Sequence, residues 1–121
     1  MKMINENVKG YRLSFVNNSE GTRYGFRHTC DLFIDDYRRS HISHPYYNRT
    51  WEAYQYQTVM LEAIEDIMRQ IYDSELRYYK EYNDIKRLTA EKKKEFDEQF
   101  NNDLYKALKE AYYDFKANTK Q

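Results

Sequence analysis

The hydrophobic period of this chain changes once, near Asn48, and that change limits what it can fold into. Upstream, Tyr24, Phe26, His28, Cys30, Leu32 and Ile34 occupy alternate positions, with Gly25, Arg27, Thr29, Asp31 and Asp35 among the intervening residues. A period of two sends successive side chains to opposite faces, so the segment reads as a strand with one face buried and one wet. Phe33 is out of phase. Tyr11, Leu13 and Phe15 alternate with Arg12 and Ser14 in the same manner, and Asn17-Asn18-Ser19-Glu20-Gly21 has the composition of a turn between the two strands. Asp35-Asp36 reads as a second tight turn, leading to a third strand around Tyr37 to Ile42 that carries Arg39 and His41 on one face. His44-Pro45 then ends the extended region, because proline lacks an N–H and disfavours helix in the residue before it.

After Asn48 the spacing becomes helical. Thr50 is a good N-cap, and Glu52 in the first turn meets the positive end of the helix dipole. Met60, Ile64, Ile67 and Ile71, flanked by Leu61 and Met68, form a wide apolar stripe suited to packing on the sheet. The end of this helix falls between Asp73 and Tyr82, since Tyr78, Tyr79 and Tyr82 fit either a longer helix or a connection to Ile85 and Leu88. A second helix starts at Thr89 as N-cap and runs to about Ala117, with Phe96, Phe100, Leu104, Ala107, Leu108, Ala111, Tyr112 and Phe115 on one face. About 40 Å long at 1.5 Å per residue, it either packs on the first helix or offers surplus apolar surface for a homodimer through this C-terminal helix. The expected fold is α+β: a short N-terminal antiparallel sheet of about three strands (residues 1–48), then two long amphipathic helices (residues 49–121). The 121 residues leave little room for a second core, so a single domain is expected.

Composition excludes several classes. The 20 basic and 20 acidic side chains balance, which points away from a nucleic-acid coat and from a DNA mimic. Residues 1–50 nevertheless hold eight Lys/Arg against five Asp/Glu, a net of +3, and the remainder is −3. That asymmetry favours an anionic partner near the N-terminal half, within a screening length of about 10 Å. Fourteen tyrosines supply apolar bodies with polar tips, suited to surfaces that bury on binding. No apolar run approaches the roughly 20 residues of a membrane span, and Met-Lys-Met-Ile-Asn-Glu-Asn lacks the core of a signal peptide. The expected location is the cytoplasm, and the single cysteine, Cys30, fits a reducing compartment.

Chemical sites are sparse. His28, Cys30, His41 and His44 offer four zinc ligands in principle, but structural zinc uses more cysteines at tighter spacing. Asp31, Asp35 and Asp36 invite magnesium, yet aspartates at a hairpin end serve as turn formers. Cys30 on an inward face is inert, and no phosphate loop or nucleophile elbow occurs. No metal, no cofactor and no catalysis are expected. The richer constellation is Arg38, Arg39, His41, His44, Tyr46, Tyr47 and Arg49, joined by Arg23 and Arg27 from the preceding hairpin. Cations interleaved with rings can grip phosphates and bases or anchor a protein interface; local packing with solvated arginines explains the same pattern.

The segment Tyr46-Tyr47-Asn48-Arg49-Thr50-Trp51-Glu52-Ala53-Tyr54-Gln55-Tyr56-Gln57-Thr58-Val59 resembles the Y-x-N-R-T-W-E-x-[YF]-x-[YF]-[QE]-[ST]-V pattern of small proteins from phages, prophages and plasmids of Gram-positive bacteria. The resemblance covers about residues 22 to 72 and implies a mobile-element origin. Asn48, Thr50, Trp51, Glu52 and Tyr54 read as a structural motif, Thr50 capping the helix while Trp51 and Tyr54, one turn apart, close the core. In size and style the chain is also similar to type II anti-CRISPR proteins. That likeness implies stoichiometric binding to Cas9, with or without guide RNA, in a bacterial host cell. The alternative is a small nucleic-acid-binding accessory protein using the basic aromatic hairpins.

Overall fold

The computed structural model describes residues 2–47 and 53–118. Among them are four strands, β1 (Lys2–Val8), β2 (Tyr11–Thr22), β3 (Gly25–Ile34) and β4 (Tyr37–Tyr47), followed by α1 (Ala53–Tyr82), α2 (Ala90–Gln99) and α3 (Asp103–Asn118). The class is α+β, with one strand and one helix more than the periodicity suggested. The strands form an antiparallel meander in the order β1-β2-β3-β4. β1 is the addition: it pairs with β2 from Lys2↔Asn17 to Val8↔Tyr11 through the turn Lys9-Gly10, both at positive φ (49° and 86°). Such a two-residue turn matches strand twist, and Gly10 takes the left-handed conformation without strain.

Turn chemistry is right at one hairpin and misleading at another. Asp35-Asp36 does join β3 to β4, with φ of 48° and 75°; Arg12 N–H donates to Asp35 Oδ1 at 2.9 Å and Asp35 N–H returns a bond to Arg12 O. The Asn17–Gly21 run is not a turn. It continues β2 in register with β3 from Asn17↔Cys30 to Gly21↔Phe26, and the connection lies at Arg23-Tyr24. Tyr24 is therefore an exposed tip residue and not part of the inward row. Pro45 does not end the strand either: β4 is an edge strand, where a missing N–H is tolerated, and it reaches Tyr47 opposite Phe26 after a register shift.

The inner sheet face carries Leu13, Phe15, Cys30 and Leu32, all fully buried. Two helices cover it. α1 lies against β3 and β4 and contributes Val59, Met60, Ala63, Ile64 and Ile67. α3 packs on α1 and reaches β1, contributing Ala107, Leu108, Ala111 and Phe115. Phe115 meets Phe15 edge-on, with centroids 5.4 Å apart. Each fully buried side chain of this size stabilises the fold by about 1.5–3 kcal/mol. The apolar stripe of α3 is thus spent within the chain, which is the packing alternative to a homodimer through that helix.

α1 runs on to Tyr82 and stops in a Schellman motif, with Asp84 at φ 53° and the Ile85 N–H bonded to Lys80 O at 2.8 Å. The length beyond the sheet is covered by α2, whose Phe96 packs between Tyr72 (5.2 Å) and Tyr79 (5.4 Å). Thr89 caps α2 as expected, accepting from Lys92 N at 3.2 Å. The expected continuous helix breaks at Phe100, which is extended, and restarts where Asn102 Oδ1 accepts from Tyr105 N at 2.9 Å. Asn102 Nδ2 also donates to Glu75 Oε1 (2.9 Å), so one side chain caps α3 and ties the corner to α1. Asn102→Ala is expected to lower stability by about 1–2 kcal/mol in urea unfolding, whereas Asn101→Ala, exposed and one residue away, stays within about 0.5 kcal/mol. Equal effects of the two changes would contradict the capping role.

Candidate functional site

Covering one face of the sheet leaves the other to solvent among the described residues. Alternation and register place its side chains in rows: Met3, Val16, Asp31 and His41 in one, and Asn5, Ser14, Phe33 and Arg38 in the next. Met3 is 56% exposed, while Val16 and Phe33 are half-buried. Together with Asn5, Arg12, Ser14 and Asp36 these three line a shallow depression. Phe33, out of phase with the inward residues of β3, is the apolar centre of this outer face.

Charged side chains flank that centre and continue along the hairpin. Asp31 accepts from His41 Nδ1 at 2.5 Å and lies 4.0 Å from Arg38 Nη1, so strand pairing converges an imidazole and a guanidinium on one carboxylate. Arg12 pairs with Asp36 across the neighbouring corner. Arg27 is exposed on the same face, opposite Glu20 in the register. Arg23 lies at the β2–β3 tip, its guanidinium 5.4 Å from the Tyr24 ring centre. Exposed ion pairs of this kind contribute little to stability.

The sequence reading placed Arg39 beside His41, and the structure separates them. A register shift between Leu32 and Phe33 makes Arg39 an extra residue in β4. Such a bulge re-aims side chains. Arg38 takes the outer face with His41, and Arg39 lines a cleft on the helix side with Ile67, Ile71 and Glu75. Tyr46 and Tyr47 lie in β4 and Tyr54 in α1, with their side chains outside the described residues; Asn48, Arg49, Thr50, Trp51 and Glu52 lie outside them altogether. Of the expected binding set, Arg27, Arg38 and His41 share a face. Met3, Arg12, Val16 and Phe33 were missed, and the phase break at Phe33 was the available signal.

On the inner side, polar groups hold β4 to α1. His44 Nε2 bonds Glu62, and Ser40 Oγ donates to Asp66 Oδ2 at 2.7 Å, with Gln70 Nε2 donating to the same oxygen at 3.0 Å. These bonds fix the strand that carries Arg38 and His41. Of the possible zinc ligands, His41 faces outward, His28 and Cys30 are buried on the inner face and His44 bonds Glu62; among the described residues no three His, Cys, Asp or Glu side chains are grouped to hold a metal ion. Burial, reinforced by Asp31, pushes the Cys30 thiol up to about 12, which makes it a poor nucleophile. Neither a protein-family model, nor a curated protein, nor a solved structure matches the chain.

His28 gives this inner edge a pH response. Burial first, and His44 second, lower its pKa from the ordinary 6.5. As pH falls, the unfolded chain takes up that proton before the folded one, so its contribution to stability is held above about 6.5 and lost below. In a proton NMR titration the His28 ring should titrate below 6.5. The fall in urea midpoint between about pH 7.5 and 5.5 should be smaller in His28→Gln than in the parent. An unchanged fall would remove His28 as the cause.

Proposed function

We propose that this chain is a non-catalytic protein of a phage or other mobile element that inhibits host defence. In this reading it binds Cas9, with or without guide RNA, in the host cytoplasm and blocks DNA binding or cleavage, and the outer sheet face is its docking surface. The observation that carries it is that face: exposed Met3 and half-buried Val16 and Phe33 lie beside Arg12, Arg38 and His41, with Arg27 farther along the same face. An apolar centre within a polar, arginine-bearing rim is the anatomy of protein interfaces. The likeness of the Tyr46–Val59 segment to mobile-element proteins supplies the direction. Among the described residues no helix is long and apolar enough to cross a membrane, which agrees with action away from the bilayer.

The expected outcome in a cleavage assay with Cas9, guide RNA and target plasmid is inhibition that saturates near a simple molar ratio, with co-elution on size exclusion. Phe33→Ala or Arg38→Ala should weaken inhibition about tenfold or more if either is a hot spot. Full cleavage with several Cas9 orthologues and no co-elution would sink the proposal. The placing of Arg38 and His41 on the same sheet face as exposed Arg27 supports a second reading, a nucleic-acid-binding accessory or regulatory protein. In that case affinity for naked DNA or RNA falls steeply with salt, and Arg27→Ala and Arg38→Ala reduce the slope of log affinity against log salt by about one each.

A further inference from the structure

The end of α1 that outruns the sheet builds a second surface, separate from the outer sheet face. Tyr78 and Tyr82, one helical turn apart, stack with centroids 6.1 Å apart and planes inclined by 22°. They remain 69% and 77% exposed. With Tyr79, Phe96 and Phe100 they wall an open groove of about 760 Å³ between α1 and α2. Among the described residues the sole charged one lining it is Glu75, and no lysine or arginine does. Glu75 Oε1 is engaged by Asn102; Arg39, in the adjoining cleft, makes no ion pair with Glu75 among the described residues.

We propose that this groove binds a basic protein segment, seating an arginine side chain on the tyrosine faces with its guanidinium directed at Glu75. Charge complementarity selects the occupant. Aromatic faces are electron-rich and attract a delocalised cation, and a carboxylate at the groove wall completes its recognition through paired N–H donors. A phosphate backbone would meet Glu75 with no cation in the lining, so base stacking on these rings lacks the electropositive track that single-strand binding uses. A wholly apolar segment would leave Glu75 and the rim's polar groups without partners. The same pairing already occurs within the chain at the hairpin tip, where Arg23 lies over Tyr24.

The test is an NMR titration of the nitrogen-15-labelled full chain with acetyl-Gly-Arg-Gly-Arg-Gly-amide and with its citrulline counterpart, which keeps the planar group and removes the charge. A short oligothymidine serves as the anionic control. The expected result is shift changes concentrated at Glu75, Tyr78, Tyr79 and Tyr82, with affinity for the citrulline peptide lower by about three- to fivefold or more. Tyr78→Ala and Glu75→Gln should each weaken the arginine peptide by about three- to fivefold, with the spectrum elsewhere unchanged. Equal binding of both peptides, absence of shifts at these residues, occupation of the groove by oligothymidine, or concentration-dependent self-association through the same residues would overturn the proposal.

Discussion

Everything in this molecule depends on covering one face of a four-stranded meander. The inner face concentrates Leu13, Phe15, Cys30 and Leu32, none of which retains solvent contact. An antiparallel sheet can bury one face and wet the other, so a single helical layer suffices. α1 supplies that layer over β3 and β4, and α3 extends it toward β1, with Phe115 set against Phe15. The outer face is the remainder of that arrangement. Its mixture of Met3, Val16 and Phe33 with charged neighbours follows from having no helix to meet.

The seam between β4 and α1 decides what that outer face displays. β4 is an edge strand, paired on one side only, and the α1 carboxylates Glu62 and Asp66 hold it through His44 and Ser40. Ser40, buried, would be costly without Asp66, since an unpaired buried hydroxyl loses its hydration for nothing. The bulge beside Ser40 then places consecutive arginines on opposite sides of the strand: Arg38 outward to Asp31, Arg39 inward to the helix cleft. A one-residue irregularity therefore sets which of the two cations lies on the outer face.

Long periods and local turn chemistry were legible in the sequence, because each is enforced by nearby residues. The row from His28 to Ile34, the Asp35-Asp36 turn, the stripe of α1 and the Thr89 cap all stand in the structure. What failed depended on distant partners. Asn17–Gly21 has turn composition, but pairing with β3 drew it into a strand and moved the hairpin tip to Arg23-Tyr24. β1 was overlooked because Ile4, Glu6 and Val8 make a poor apolar row, although Lys9-Gly10 marked the turn that brings it alongside β2. The break at Asn101-Asn102 lies inside an unbroken apolar spacing, since α2 and α3 each bury residues on the expected stripe while facing different parts of α1. The face joining Arg38 to His41 was hidden by the bulge, which alternation alone does not reveal.

The outer face also bears on what kind of partner it suits. Its cations, Arg12, Arg27 and Arg38, stand next to Asp36, Glu20 and Asp31, and His41 bonds Asp31, so the face is close to neutral. The excess positive charge of the N-terminal half resides partly elsewhere: Lys9 reaches Glu110 on α3, Arg39 turns to the helix cleft, and Arg23 caps a hairpin tip. Phosphate binding draws its affinity from releasing counterions by unpaired cations, and a cation already matched to a carboxylate releases fewer. Protein interfaces draw on the opposite arrangement, in which an apolar anchor such as Phe33 is desolvated within a rim whose paired charges select orientation. Net charge by region therefore misjudges this surface, and on the proposed docking role the register of individual charges suits a protein partner better than a polyanion.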